Sequence, residues 1–385
     1  MDVAVEQGVA VVSLRDEGDR VVAVLESSAG TEEVTAGWVL GADGAGSVVR
    51  HATGLRLEGW EDGKYAVYAD VDVEMDFPFD STAMVTDARG QRSVRPMGGK
   101  RVRLAFPARQ LDLSVVPTVD DVQALCDEML NGRVRIVTPH WLLHYRAHRG
   151  LAPRFRVGRM LLAGDAGHVH PPAGGQGMNT GIQDAISAAW RLALITRGLA
   201  APELLDDYNT ERHAVATEMV NGTSKLATLM SGTGVTAVVR QAVLFALGHV
   251  HALNDVVATR AAQIAIDYHS AGTVIGPEGK AGTHVGEHLT DGPVAISDVV
   301  GPGHRVFAFG ANAEERAALA ALLGEIGEVR EGDSVLATAL GVGKRGLVAV
   351  RPDGYIGLVA DSPDHAALHD YLSRCLHSPA TSPVS

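Results

Sequence analysis

A mixed α/β fold, α+β in part of its length and divided into two or three domains, follows from three stretches of this 385-residue sequence. Residues 159–197, RMLLAGDAGHVHPPAGGQGMNTGIQDAISAAWRLALITR, read as a short buried strand, a Gly/Pro-rich loop and a helix. Residues 60–118 carry several alternating runs separated by polar turns, as an antiparallel sheet does. From about His284 the order β-α-β-β-α gives a small domain of its own. The length suffices for separate cores.

The stretch 159–197 is the most informative. Met160 to Ala163 is an apolar run of strand length. From about Asn179 the apolar residues Ile182, Ile186, Ala189, Trp190, Ala193 and Leu194 recur at helical spacing. A Gly-rich loop feeding a helix N-terminus leaves backbone N–H groups free, and the helix dipole favours an anionic or electron-rich ligand there. Asp165, just past the strand, is placed to accept hydrogen bonds from ligand hydroxyls. The glycines Gly175, Gly177 and Gly181 miss the GxGxxG spacing by one residue, so this is not a dinucleotide fingerprint.

Taken in order, residues 3–40 form a β-meander: a strand through Val9 to Leu14, a second from Val21 to Leu25, and a third from Val34 to Leu40. GADGAGSVVR follows and fits DGxxSxxR through Asp43, Gly44, Ser47 and Arg50. Gly44 and Gly46 permit close backbone approach, Ser47 caps the next helix, and Arg50 is placed to pair with Asp43. Val119 to Asn131 reads as an amphipathic helix with Asp120 and Asp121 in its first turn, and 134–149 as extended chain. His140, His144 and His148 recur every fourth residue, but no Cys or carboxylate is interleaved as a metal site would need. Residues 201–270 look helical throughout, and Met219, Leu226, Leu229 and Met230 read as core. Ala271 to Gly282 reads as a linker, Ala313 to Gly327 as a helix, and Ser334 to Leu340 as a strand. Gly232 to Ala237 (GxGxxA) lacks a preceding strand, and GVGKRG at Gly341 to Gly346 precedes a strand rather than a helix, so neither has the physics of a dinucleotide loop.

Composition narrows the function. A formal charge of −13 argues against nucleic-acid or anionic-membrane partners. No apolar run approaches the roughly 18 residues of a membrane span. Cys126 and Cys375, far apart, give no redox or metal motif and fit a reduced, cytoplasmic setting.

The string GDAGHVHPPAGGQGMNTG resembles the second flavin-binding motif of the para-hydroxybenzoate hydroxylase and phenol hydroxylase family, the FAD-dependent aromatic monooxygenases. DGxxSxxR upstream and DDYNTER downstream are similar to the same family, and VRPDGYIG resembles its thioredoxin-like C-terminal domain. The resemblance implies a glutathione-reductase-like FAD-binding fold and an antiparallel substrate sheet. Its parts would be a partial FAD-binding domain (1–59), the substrate sheet (60–150), the second FAD-binding part (151–216), a helical segment and linker (217–282) and the thioredoxin-like domain (283–378). It also implies cofactors FAD and NAD(P)H, a small aromatic substrate of phenolic or polyketide-like character, O2, and hydroxylation through a flavin C4a-hydroperoxide. A homodimer is compatible with it. By resemblance Asp165 binds the ribityl chain; Gly164, Gly175, Gly177, Met178 and Asn179 surround the flavin, the last three offering amides to its N1–C2=O edge. Pro172 faces the substrate hydroxyl with its carbonyl, and Asp43, Gly44 and Arg50 shape the pyrophosphate and nicotinamide side. Gly167 stands where the family usually has Ala. His168 reads as a brace of the loop.

Family members open with a strand, a GxGxxG turn and a helix that hold the FAD pyrophosphate, and the sequence contains no such segment. Losing two or three phosphate contacts of about 1.5–3 kcal/mol each would weaken FAD by roughly 10³-fold. The expectation is therefore either an enzyme whose start lies further upstream or a non-catalytic remnant or partner of one. The WxWxIP string of tryptophan-type halogenases is not present.

Overall fold

A computed structural model describes residues 4–59, 61–75, 81–87, 90–107, 115–170, 176–231, 266–268, 273–276, 286–289 and 295–377. The chain opens with an antiparallel meander of β1 (Ala10–Asp16), β2 (Val21–Ser27) and β3 (Gly30–Ala36). The expected third strand over 34–40 is two strands. The chain turns at Gly37, and β4 (Val39–Gly41) pairs in parallel with residues 160–162 of another sheet. Trp38 at the turn lies under Arg159, whose guanidinium is 4.8 Å from the ring centroid. The short helix α1 (Val48–Ala52) follows.

The second layer is a five-stranded sheet of β5 (Glu61–Met75), β6 (Ala83–Asp87), β7 (Gly90–Gly98), β8 (Arg101–Pro107) and, after helix α2 (Val119–Met129), β9 (Val134–His148). Its order is β6-β7-β8-β5-β9, antiparallel throughout, as the alternation predicts. Val67, Ala69, Val71 and Val73 of β5 are buried and pack with Val122, Cys126 and Met129 of α2. The intervening residues Tyr68, Asp70 and Asp72 therefore line the opposite face. Thr118 and Asp121 close a reciprocal capping box on α2. Burial in this core pushes the Cys126 thiol up to about 12, so it stays a neutral packing group.

Next come β10 (Gly150–Leu151), β11 (Arg156–Val157), β12 (Met160–Leu162), a 3-10 turn at Gly164–Ala166, β13 (His168–Val169), α3 (Gly177–Thr196) and α4 (Leu204–Ser231). Helix α3 starts two residues earlier than its apolar pattern suggests. The expected helical run 201–270 is α4 as far as Ser231; Asp267 lies instead in a β-bridge with Glu287, and 232–265, with the GxGxxA string, is outside the described residues.

The C-terminal part contains α5 (Ile296–Val299), β14 (His304–Phe309), α6 (Ala313–Leu323), β15 (Gly327–Gly332), α7 (Ser334–Ala339), β16 (Gly346–Val350), β17 (Ile356–Ala360) and α8 (His365–Cys375). Its sheet runs β15-β14-β16-β17, with the first pair parallel and the others antiparallel. That is a thioredoxin-like order. Ser334 to Leu340 is not a strand: Asp333 accepts the Leu336 amide at 2.7 Å and caps α7, while Leu336, Ala337 and Leu340 bury one helical face. The strand in that place is Gly327–Gly332, which the sequence reading gave to the preceding helix and turn. Thr273–Gly276, read as linker, includes Ile275, which bridges Leu358 on β17. One apolar cluster joins Trp190, Leu194 and Leu204 of the helical layer to Val306, Leu347 and Leu368, so the C-terminal part packs directly on α3 and the start of α4.

Candidate functional site

β4 and β12 run in parallel, with Leu162 opposite Gly41, so the loops GADG and GDAG leave the same carboxyl edge of the sheet. That edge is where open α/β sheets hold ligands. In the first loop Gly44 has φ +79°. Ser47 Oγ accepts the Arg50 amide at 2.9 Å, and the exposed Asp43 accepts the Val49 amide at 3.2 Å, so both side chains cap α1. The expected Arg50–Asp43 ion pair is not made. Arg50 is buried, and its guanidinium donates instead to the carbonyls of Ala166, at 2.8 Å, and Ala45, at 2.6 Å. It ties one loop to the other from within, while Asp43 stays at the surface as a cap.

The second loop begins at Gly164, whose φ of +58° suits glycine. A side chain on Gly181 would come within 3.2 Å of the Gly164 Cα, so two glycines let loop and helix touch. Asp165 is exposed, whereas Ala166, Gly167 and His168 beside it are buried. His168 reads as a brace and is one: its Nε2 lies 2.8 Å from Asp184 Oδ2. Asp184 also accepts the Gly164 amide, at 2.9 Å, and Arg212 Nε, at 2.7 Å. Burial raises the Asp184 pKa, but Arg212, His168 and the Gly164 amide outweigh it and hold the carboxyl below its usual range. The Tyr208 hydroxyl donates to the Leu162 carbonyl at 2.5 Å and fixes the strand end.

Among the described residues no side chain caps helix α3. The amides of Gly177, Met178 and Asn179 open a 20-residue helix, and the Met178 side chain is 75% exposed. Pro172 and Gly175 lie outside the described residues. Gly164, Asp165, Gly177, Met178 and Asn179 are thus gathered at one loop and helix start, with Asp43, Gly44 and Arg50 at the neighbouring loop. This donor set fits a flavin: uncapped amides for an electron-rich ring edge, an exposed carboxylate for hydroxyls, and glycines where a Cβ would close the gap.

The face of the five-stranded sheet opposite α2 carries aromatic and charged side chains. Tyr145 on β9 and Tyr68 on β5 stack edge-to-face at 5.5 Å. Burial, Tyr68 and the negative charge of Asp165 raise the pKa of the Tyr145 phenol. Arg103 holds Asp70 bidentately at 2.7 and 2.8 Å and lies 5.6 Å from the Trp141 ring centroid. The every-fourth histidines do not share a face. A bulge at His140 in the β5–β9 register puts it on Asp72, at 2.9 Å, while His144 is opposite Val67 on the α2 side.

Asp184, Tyr68 and Tyr145 were not among the residues the sequence singles out, and Arg212 entered only as part of the DDYNTER helix, with no partner assigned. Asp184 had a signal: with Thr180, Ser187 and Arg191 it puts polar groups on the core-facing side of an otherwise apolar helix. Replacing Gly181 with Val forces the loop off the helix. We expect overpacking of about 1–3 kcal/mol and FAD affinity lower by about tenfold or more. Fluorescence titration with FAD measures it; unchanged affinity would show that the contact is slack.

A parallel strand pair with both following loops turned to one ligand edge, a long helix starting at that edge and a separate five-stranded antiparallel sheet are the parts of a flavoprotein of the aromatic hydroxylase kind. Residues 1–223 match the FAD binding domain family, and the chain belongs to that family. It is similar to 6-methylpretetramide 4-monooxygenase of Streptomyces rimosus, 31% identical over 92% of this chain and 69% of that protein. It is 34% identical to rifampicin monooxygenase of Streptomyces venezuelae over 59% of this chain, and spans about half (48%) of that relative's length. Among solved structures, OxyS anhydrotetracycline hydroxylase from Streptomyces rimosus superposes with a TM-score of 0.79 at 28% identity, over 97% of this chain and 76% of that one. FAD is the cofactor of the family, and no described helix is long and apolar enough to cross a membrane.

Proposed function

We propose that the chain carries the flavin loop and substrate sheet of an NAD(P)H-using monooxygenase that hydroxylates a flat phenolic or polyketide-like aromatic ring. The observation that supports this most is the gathering of Gly164, the exposed Asp165 and the first amides of the 20-residue helix α3 at the carboxyl edge of the parallel β4–β12 pair. Residues 1–59 and 151–216 would hold the flavin side and 60–150 the substrate side. When bound, FAD would accept a hydride from NAD(P)H and activate O2 at its C4a carbon.

The protein's own part is binding and placement. Asp165 would accept hydrogen bonds from the ribityl hydroxyls. The amides of Gly177, Met178 and Asn179 would donate to the N1–C2=O edge and favour negative charge there. Gly44 and Asp43 would shape the pyrophosphate side. Tyr68, Tyr145 and Trp141 would stack against the substrate ring, and Arg103 would favour its anionic form. The names of the relatives speak for flat multi-ring substrates.

The test is a titration of the purified chain with FAD, followed by its visible spectrum, then NAD(P)H consumption with and without multi-ring phenols. We expect a bound-flavin spectrum and phenol-stimulated consumption. A chain with and without upstream coding sequence that leaves FAD free in both forms would sink the reading.

A further inference from the structure

Two buried charge networks lie behind the flavin loop, and neighbouring residues of α4 enter both. In the first, Arg191 of α3 donates to Glu211 at 2.6 Å, and Arg351 grips the same carboxylate with two nitrogens at 2.7 and 2.8 Å. Arg351 also holds Asp353, at 2.6 and 3.0 Å, and Asp353 accepts the Trp190 indole N–H at 2.8 Å. Thr273 completes it with a hydroxyl donated to Glu211. The four ionised side chains are at most 2% exposed, and their charges cancel. The second network is Arg212–Asp184 with His168 and the Gly164 amide. Arg212 also reaches the Tyr268 hydroxyl at 2.8 Å, and the Tyr268 ring lies 4.2 Å from that of Tyr355. The turn between β16 and β17 of the C-terminal domain therefore touches both.

Such an arrangement is poorly suited to mere adhesion. Removing four charges from water costs several kcal/mol per ion before pairing, and an apolar interface does the same job. That apolar interface is already present around Trp190 and Leu194. What the ions add is direction: bidentate guanidinium–carboxylate contacts tolerate little sliding or rotation, whereas aliphatic contacts tolerate both. Asp184 and Arg191 are seven residues, about two turns, apart on α3, so fixing one end of that rigid segment fixes the other.

We propose that the Arg351–Asp353 turn is a positioning element for the flavin loop. Through Trp190 and Arg191 it sets the register of α3, and so the placement of Asp184, of the Gly164–His168 turn that Asp184 holds, and of the amides at the helix start. Arg351 and Asp353 touch no ligand in this reading; they act through the helix.

The test compares Asp353→Asn with Val348→Ala in the full chain. Val348 is fully buried in the cluster on the other face of the C-terminal sheet, with no member on α3 or α4. Amide hydrogen exchange is measured at a temperature well below unfolding. We expect Asp353→Asn to raise exchange at residues 164–170 and 177–180 by about tenfold or more, the loss of one charged hydrogen bond, with Val348→Ala raising it only in the C-terminal sheet. The visible band and affinity of bound FAD should change with the first variant alone. That flavin arm rests on the proposed function; the exchange arm does not, and supports the positioning role even if no flavin binds. Equal exchange at 164–170 in the two variants overturns the proposal. If Asp353→Asn does not fold, Trp190→Phe removes the indole donor to Asp353, together with part of the ring packed in the apolar cluster, and is compared with Val348→Ala in the same way.

Discussion

Asp184→Asn should lower the melting temperature by on the order of 10 °C and abolish tight FAD binding. Asp184 takes three donors at once: the Gly164 amide and His168 at one oxygen, and Arg212 at the other. An asparagine of the same shape cannot do so. Whichever way its amide turns, its NH2 meets either the Gly164 N–H or the Arg212 Nε–H. It also leaves the Arg212 guanidinium, fully buried, without its counter-charge. Breaking a buried pair by removing one partner costs about 3–5 kcal/mol. The loss falls on the first residue of the flavin loop, so affinity should fall with stability, by about 10²-fold or more. Thermal unfolding and FAD titration of the variant check this. A variant that melts within a degree or so of the parent would mean that Arg212 and the Gly164 amide find other partners.

The strand and helix on either side of the Gly/Pro loop were legible because local chemistry dictates them. A short apolar run, a Gly/Pro loop and an apolar 3.6-period helix leave few alternatives; the strand at 160–162 is where the pattern puts it, and the helix at 177–196 starts two residues before it. The antiparallel sheet was legible for the same reason: Val67, Ala69, Val71 and Val73 alternate with Tyr68, Asp70 and Asp72. Long-range pairing was not legible. Arg50 has a carboxylate seven residues before it, and local reasoning joins the two. The fold instead brings the Ala166 carbonyl to it from 116 positions away. Residues 334–340 show the limit of apolar alternation, because the deciding feature is the Asp333 cap, which precedes the run. Glu211 and Arg351, 140 residues apart, carry no mutual signal at all.

His304 should give the protein a steep acid limb that begins near neutrality. The ring is fully buried between Trp190, at 5.3 Å, and Tyr371, at 6.0 Å, and neither nitrogen has a hydrogen-bond partner among the described residues. Burial first, and then the nearby Arg351 charge, push its pKa down to about 3; Asp353 acts the other way, and Arg191 adds a smaller lowering. In the unfolded chain the imidazole takes up its proton near 6.5. Because the folded pKa is depressed, the unfolded state binds the extra proton first as pH falls. The stability from His304 is therefore fully present above 6.5 and is lost progressively down to about 3. At pH 4.5 the loss is already about 3 kcal/mol, two units at about 1.4 kcal/mol each. The carboxylates Glu211, Asp184 and Asp353, all held below their usual range, lose their contribution only at lower pH. His288, lowered by burial, adds in the same sense, while Asp207, raised by burial, works against it. The substitution His304→Leu separates these contributions: it keeps the slot filled and removes the titration. Unfolding measured from pH 7.5 to 4.5 should show the parent losing about 3 kcal/mol more than the variant over that range. Parallel pH profiles for the two proteins would mean that water or a shifted partner solvates the ring, and that the acid limb belongs to the carboxylates alone.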